Sequence, residues 1–275
     1  MKLLSSICFR LTFILFIYVQ SASAEINVRE LANAGDIEGL TRLLRHPNGV
    51  LRSSAAVKLS NAIRSIKTEK RLTPLVRQHL ESSLRDPYQT VREHAGRCFQ
   101  HSMRNISQAN ILQSLVPSLV DALNSKEVEV KRRRYAAVML AELMPRIENT
   151  NTMRLVLSRI LDSTLNDPDE QTREYSGRVV QVALRKVTHQ GTLSEAAKTL
   201  THALKAKESK RRQYAAIQLS GLVQKLEDQR ICRHIAPAIA EAAKSSADST
   251  IREYAGRAAK HLKQKLEANK LRPTN

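Results

Sequence analysis

Residues Asp86–Arg97 read DPYQTVREHAGR, and residues Asp167–Arg178 read DPDEQTREYSGR. A third version, SADSTIREYAGR, occupies Ser246–Arg257. A catalytic loop is seldom written three times in one chain, whereas a structural unit often is, and self-similarity at a fixed long period is the mark of a repeat architecture. The three stretches begin 81 and then 79 residues apart.

Weaker relatives stand between them, at Arg52-Ser-Ser-Ala-Ala, Arg133-Arg-Tyr-Ala-Ala and Arg212-Gln-Tyr-Ala-Ala. The phased arginines are therefore Arg52, Arg92, Arg133, Arg173, Arg212 and Arg252, at intervals of 40, 41, 40, 39 and 40 residues. Three residues after each arginine comes a pair of small residues, Ala55-Ala56, Ala95-Gly96, Ala136-Ala137, Ser176-Gly177, Ala215-Ala216 and Ala255-Gly256. Glycine inside a helix costs about 1 kcal/mol relative to alanine, so its return at one phase points to close approach of a neighbouring helix. Tyr135, Tyr175, Tyr214 and Tyr254 precede the small pair in four units and read as packing residues.

Each forty-residue unit reads as two helices. In the third, Ile111, Leu112, Leu115, Val116, Leu119, Val120 and Leu123 fall at helical spacing. After a break, Val130, Tyr135, Val138, Leu140 and Leu143 do so again. Asp86-Pro87 and Asp167-Pro168 are stop and start signals between helices. Two such helices cannot cover their own apolar faces, but stacked pairs can, which gives an all-α solenoid. The frame Asp86-x4-Val91-Arg92 resembles the Asp-x4-Val-Arg signature of HEAT repeats, and Asp167-x4-Thr172-Arg173 is similar to it. The last unit departs, with Ser246 at the aspartate position and Asp248 shifted inward. Pro74, Pro117 and Pro237 fall in first helices, where HEAT repeats often carry a proline kink. The resemblance implies a right-handed α-solenoid of about six HEAT-like pairs across residues 25–275. It also implies an inter-repeat ladder of arginine and aspartate, here Arg52, Asp86, Arg92, Asp167, Arg173 and Arg252.

Odd and even units differ five residues after the phased arginine. Odd units carry Val57, Val138 and Ile217 there, and even units carry Arg97, Arg178 and Arg257. The larger repeat is thus a pair of pairs. Lys131, Arg132, Arg134, Lys210 and Arg211 add positive charge on second helices, which usually line the concave face in this family. These eight residues are the expected anionic-partner site, with Glu93, Glu174 and Glu208 as partial counter-charges.

The composition agrees with a helical chain. Of 275 residues 42% are hydrophobic, only 4% are aromatic and none is tryptophan. Residues 1–24 have the layout of a secretory signal peptide: Lys2 and Arg10, the apolar run Leu11–Val19, then the small-x-small Ala22-Ser23-Ala24. That run is too short for a stable transmembrane anchor, and cleavage after residue 24 would export the remainder to a periplasm, the exterior or a secretory route. Residues 25–275 carry 43 basic against 26 acidic side chains, or +17. Such an excess favours anionic partners, here an acidic protein segment or an anionic envelope polymer. Nucleic acid shares that charge logic but is disfavoured by the leader and the few aromatic rings.

No catalytic or metal site emerges, and no cofactor is expected. His94, Cys98 and His101 have helical ligand spacing, but Tyr175, Val179 and Val182 hold the matching positions of the next even unit. Cys98 and Cys232 read as small buried hydrophobes. Among HEAT-like enzymes, one hydroxylase binds iron through His-Glu dipeptides, and this chain has none. HEAT-like DNA glycosylases use aromatic residues that are scarce here, and export argues against the branch that attaches bilins to phycobiliproteins. The expectation is a non-enzymatic binding scaffold; the alternatives are a nucleic-acid binder or an accessory subunit of an enzyme.

Overall fold

The structure, a computed structural model, describes residues 27–125 and 129–270; the leader expected at residues 1–24 lies outside them. Among the described residues the chain is helical throughout and has no strand. A helical segment at 27–33 (α1) turns at Gly35, whose φ of 67° suits a residue without a Cβ. Six hairpins follow. They pair α2 (Ile37–Leu43) with α3 (Gly49–Ala62), α4 (Glu69–Arg85) with α5 (Gln89–Asn105), and α6 (Ala109–Asn124) with α7 (Val130–Leu143). The other three pair α8 (Thr150–Asn166) with α9 (Glu170–Lys186), α10 (Gln190–Ala203) with α11 (Ser209–Lys225), and α12 (Gln229–Ser245) with α13 (Ser249–Lys270). Pro74, Pro117 and Pro237 sit inside α4, α6 and α12. No helix of the described residues is long and apolar enough to cross a membrane.

Short polar side chains start the helices by accepting orphan amide protons of the first turn. Asn48 accepts from Val50 N, Asn149 from Thr152 N, Asp169 from Thr172 N and Asp228 from Arg230 N. Asp86 and Asp167 instead end α4 and α8 in extended conformation, as residues before proline must. Each then accepts an amide proton two residues on, from Tyr88 and from Asp169, both at 2.9 Å.

The chain divides into two compact units, residues 1–115 and 116–275. In the first, α4 packs on α5 and α3 lies beside α5. Their common core is Leu59 of α3, Leu72, Val76 and Leu80 of α4, and Val91, Phe99 and Met103 of α5, all essentially buried. In the second, α8 packs on α9, α10 on α11 and α12 on α13. Along the second helices the packing alternates: α7 with α9 and α11 with α13 make long contacts, whereas α9 and α11 meet over a short stretch. Within the second unit the packing of second helices therefore follows the eighty-residue period of the sequence, tight for α7 with α9 and for α11 with α13 and looser for α9 with α11.

Small residues set that rhythm. Ala136, Ala137, Ala215, Ala216 and Ala255 are fully or almost fully buried where the tight pairs meet. At the looser junction the Tyr214 ring lies on Gly177 and its hydroxyl donates to the Gly177 carbonyl at 3.4 Å. Burial pushes the Tyr214 phenol well above its ordinary pKa, so it remains a neutral spacer. Toward the C-terminal end, Ala236 and Ala240 of α12 are half-buried where α4 buries Val76 and Leu80 and α8 buries Leu157 and Leu161, and α13 exposes Lys260 and Lys263. That replacement makes the α12–α13 pair less apolar than the pairs before it.

Candidate partner-binding face

The phased arginines form two kinds of contact. Arg52 Nε donates to Asp86 Oδ2 at 2.7 Å, and Arg133 donates to both Asp167 oxygens, at 2.8 and 3.3 Å. These pairs link an odd unit to the even unit after it. The second kind is shared by odd and even units, each arginine turning back on its own loop: Arg52 Nη1 donates to the carbonyls of His46 and Pro47, Arg92 to those of Asp86 and Pro87, Arg173 to those of Asp167 and Pro168, Arg212 to those of Ala206 and Lys207, and Arg252 to those of Ser246 and Ala247. Of the residues expected in the inter-repeat ladder, Arg52 and Asp86 meet across repeats, and Asp167 is met by Arg133. Asp86 and Asp167 are each taken by the phased arginine of the unit before, and the odd-unit loops hold no aspartate to continue the series. The acid met by Arg173 is Glu208, at 3.0 Å. In the last junction Gln213 and Ser209 donate to Asp248, at 2.6 and 2.9 Å.

At the opposite ends of the second helices stands a ladder the sequence reading missed. Lys186 Nζ donates to the carbonyls of Pro145 and Ile147, at 2.9 and 2.8 Å. Lys225 Nζ donates to those of Leu184, Arg185 and Val187, at 2.9, 2.8 and 2.6 Å. Lys265 Nζ donates to those of Gln224 and Leu226, at 2.7 and 2.6 Å. Each ammonium satisfies the orphan carbonyls, and the negative dipole end, of the preceding second helix. All three lie thirteen residues after a phased arginine, a coincidence that the repeat alignment contains.

The eight expected binding residues fall into different situations. Arg178 on α9 lies 4.9 Å from the centroid of the Tyr175 ring and donates to Glu174 at 2.6 Å. Arg257 on α13 lies 5.0 Å from the Tyr254 ring and donates to Glu253. Both side chains keep 58% of their exposure, so each guanidinium is held in one orientation while most of its donors face water. Arg97 belongs to the first unit and has His94 where the others have tyrosine. It is exposed, and Glu93 accepts from Gln89. Lys131 is exposed at the start of α7. Arg132 lies 3.8 Å from Glu129.

Arg134 is already engaged by Asp169 through two bonds, at 3.1 and 2.6 Å. That partner, with help from Thr172, holds the Asp169 carboxyl well below the ordinary carboxylate range. Lys210 is paired with Glu170, whose pKa is lowered by that hydrogen bond. Arg211 is half-buried, and its Nε has no acceptor. Arg134 thus serves the junction between α7 and α9, a role that its surface-like sequence context did not disclose.

The candidate metal trio is dispersed. His94 Nδ1 is 2.7 Å from Ser60 Oγ and His101 Nε2 is 2.8 Å from the Ile66 carbonyl, so both rings bridge neighbouring helices. Cys98 is buried and its thiol is pushed up to about 12. Cys232 is a second buried free thiol.

No family model matches the chain, and no curated protein matches it. Solved structures do. An archaeal HEAT-like repeats protein from Thermococcus onnurineus NA1 aligns over 88% of this chain and 98% of its own, at 14% identity and a TM-score of 0.55. Cex1p aligns over 87% of this chain and 46% of its own, at 17% identity and a TM-score of 0.58. With the paired helices, the forty-residue phase and the arginine contacts already described, these likenesses show that the chain has the all-α solenoid fold of HEAT-like repeat proteins.

Proposed function

We propose that this chain is an exported, non-enzymatic scaffold that holds an acidic protein segment against the exposed face of its second helices. The observation that carries the reading is the paired construction at Arg178 and Arg257. At one register on alternate helices, a guanidinium rests on the tyrosine three residues earlier and bonds the glutamate four residues earlier. An arginine already ordered on a ring loses less freedom when it takes a carboxylate, and its planar fork suits that ligand. The exposed glutamates do not cancel it, since such i,i+4 pairs contribute only about 0.3–0.5 kcal/mol. Between the two arginines in chain order, Ile217 offers a half-buried apolar contact at the same register. The excess of basic residues would speed encounter with an acidic chain. Export rests on the leader-like residues 1–24, and N-terminal sequencing of the protein from its native cell tests it.

The binding test uses residues 25–275 and a fluorescent decaglutamate peptide titrated at graded salt. Affinity should fall with salt, and the Arg178→Ala/Arg257→Ala variant should bind about tenfold more weakly, as expected for losing charge-assisted contacts. Unchanged affinity in a variant that keeps wild-type helicity would overturn the assignment of these residues. Tighter, salt-resistant retention on single-stranded DNA than on the peptide would redirect the reading to nucleic acid.

A further inference from the structure

Beside the loose junction between α9 and α11 lies a half-open cavity of about 240 Å³, lined in part by Glu170, Arg173, Glu174, Lys210, Arg211 and Tyr214. The cavity exists because the Tyr214 ring stands on Gly177 and keeps the two helices apart on this side. Its volume is several times the ~30 Å³ share of one water molecule, which is room for a carboxylate group.

The charges around the cavity are matched, with one exception. Glu170 is held by Lys210, Glu174 by Arg178, and Arg173 by Glu208 and two loop carbonyls. Arg211 is left over. Its Nε–H is buried and finds no acceptor, and among the described residues no carboxylate pairs with it. A buried donor on a permanently charged group is a costly thing to leave unsatisfied. Glu170 and Glu174 line the cavity but neither reaches the Arg211 Nε–H, and a further anionic acceptor would answer both the donor and the uncompensated charge.

We propose that this cavity seats one aspartate or glutamate side chain of the bound acidic segment, with Arg211 receiving its carboxylate. The inference rests on the acidic-segment reading and adds a fixed point to it. A carboxylate bound between α9 and α11, beside Glu174 and its partner Arg178, would set the register of the segment along the helices.

The arginine Nε–H signals of residues 25–275 are followed by NMR as hexaglutamate is added, each assigned on the wild-type chain by correlation to its own backbone amide. The expected result is a saturable shift of the Arg211 Nε–H, together with at least fivefold weaker hexaglutamate binding in Arg211→Gln. If the peptide binds and shifts Arg178 and Arg257 while Arg211 stays still, the seat is wrong and the broader reading stands. If hexaglutamate does not bind the wild-type protein at all, both fall. Because the shift is read on the wild-type chain, poor folding of Arg211→Gln does not shield the proposal.

Discussion

The Tyr214 ring occupies the space that a side chain on Gly177 would need: a Cβ there would stand 2.7 Å from Tyr214 Cε2. The equivalent residue of the sixth unit, Gly256, has nothing within 4 Å of that position. Helix propensity alone favours alanine at both sites by about 1 kcal/mol. Gly177→Ala should nevertheless destabilise, since a buried aromatic ring must move, whereas Gly256→Ala should raise stability by up to about 1 kcal/mol. Urea denaturation of the two variants gives the comparison; a stabilised Gly177→Ala would show that the ring does not define the junction.

Arg133 and Asp167 retain only 9% and 5% of their side-chain exposure and share two hydrogen bonds. Removing one partner strands a buried charge, which costs about 3–5 kcal/mol. Arg133→Ala should therefore lower the urea midpoint sharply. The double variant Arg133→Met/Asp167→Asn, which keeps a cap for the Asp169 amide, should recover most of the loss.

Lys225 donates to three carbonyls at the end of α9. Lys225→Met keeps the aliphatic stem but leaves those carbonyls without their cation, at a cost of roughly 1.5–3 kcal/mol for charged hydrogen bonds. Lys244→Met serves as an exposed lysine control and should change the denaturation midpoint little.

His79 is fully buried between Thr41 Oγ1, at 3.1 Å, and Ser102 Oγ, at 3.3 Å. Burial lowers its pKa from 6.5 to about 3. The native state therefore keeps this ring neutral while the unfolded chain takes up a proton below pH 6.5. Its contribution is complete above pH 6.5 and is lost as pH falls from there toward about 3. His94, lowered chiefly by burial and then by Arg97, acts in the same direction. Thermal midpoints between pH 7 and pH 4.5 should fall less steeply for His79→Gln than for the wild-type chain.

The architecture was legible because it repeats. Six arginines in phase and recurrent small pairs can be read without any coordinate, and they dictate paired helices that stack. Partner choice was less legible, because it depends on which neighbour arrives first. Asp86 and Asp167 are claimed by Arg52 and Arg133 from the unit before, while the bonds to loop carbonyls are common to odd-unit Arg52 and even-unit Arg92 and Arg173. Arg134 and Lys210 looked like surface charge until Asp169 and Glu170 came within reach from the adjacent helix. Lys186, Lys225 and Lys265 were in phase all along, but an exposed-looking lysine at a helix end gives no sign that it caps the helix next door. The gap beside Arg211 depends on how closely two helices approach, which a linear pattern of residues does not encode.

The most direct test of the account is to map where an acidic chain touches the protein. A decaglutamate peptide carrying a photoreactive group at one end is bound to residues 25–275, irradiated, and the linked residues are located by mass spectrometry. The account predicts links to α9, α11 and α13, concentrated near Arg178, Arg211 and Arg257. Links confined to the first helices α8, α10 and α12 would contradict it.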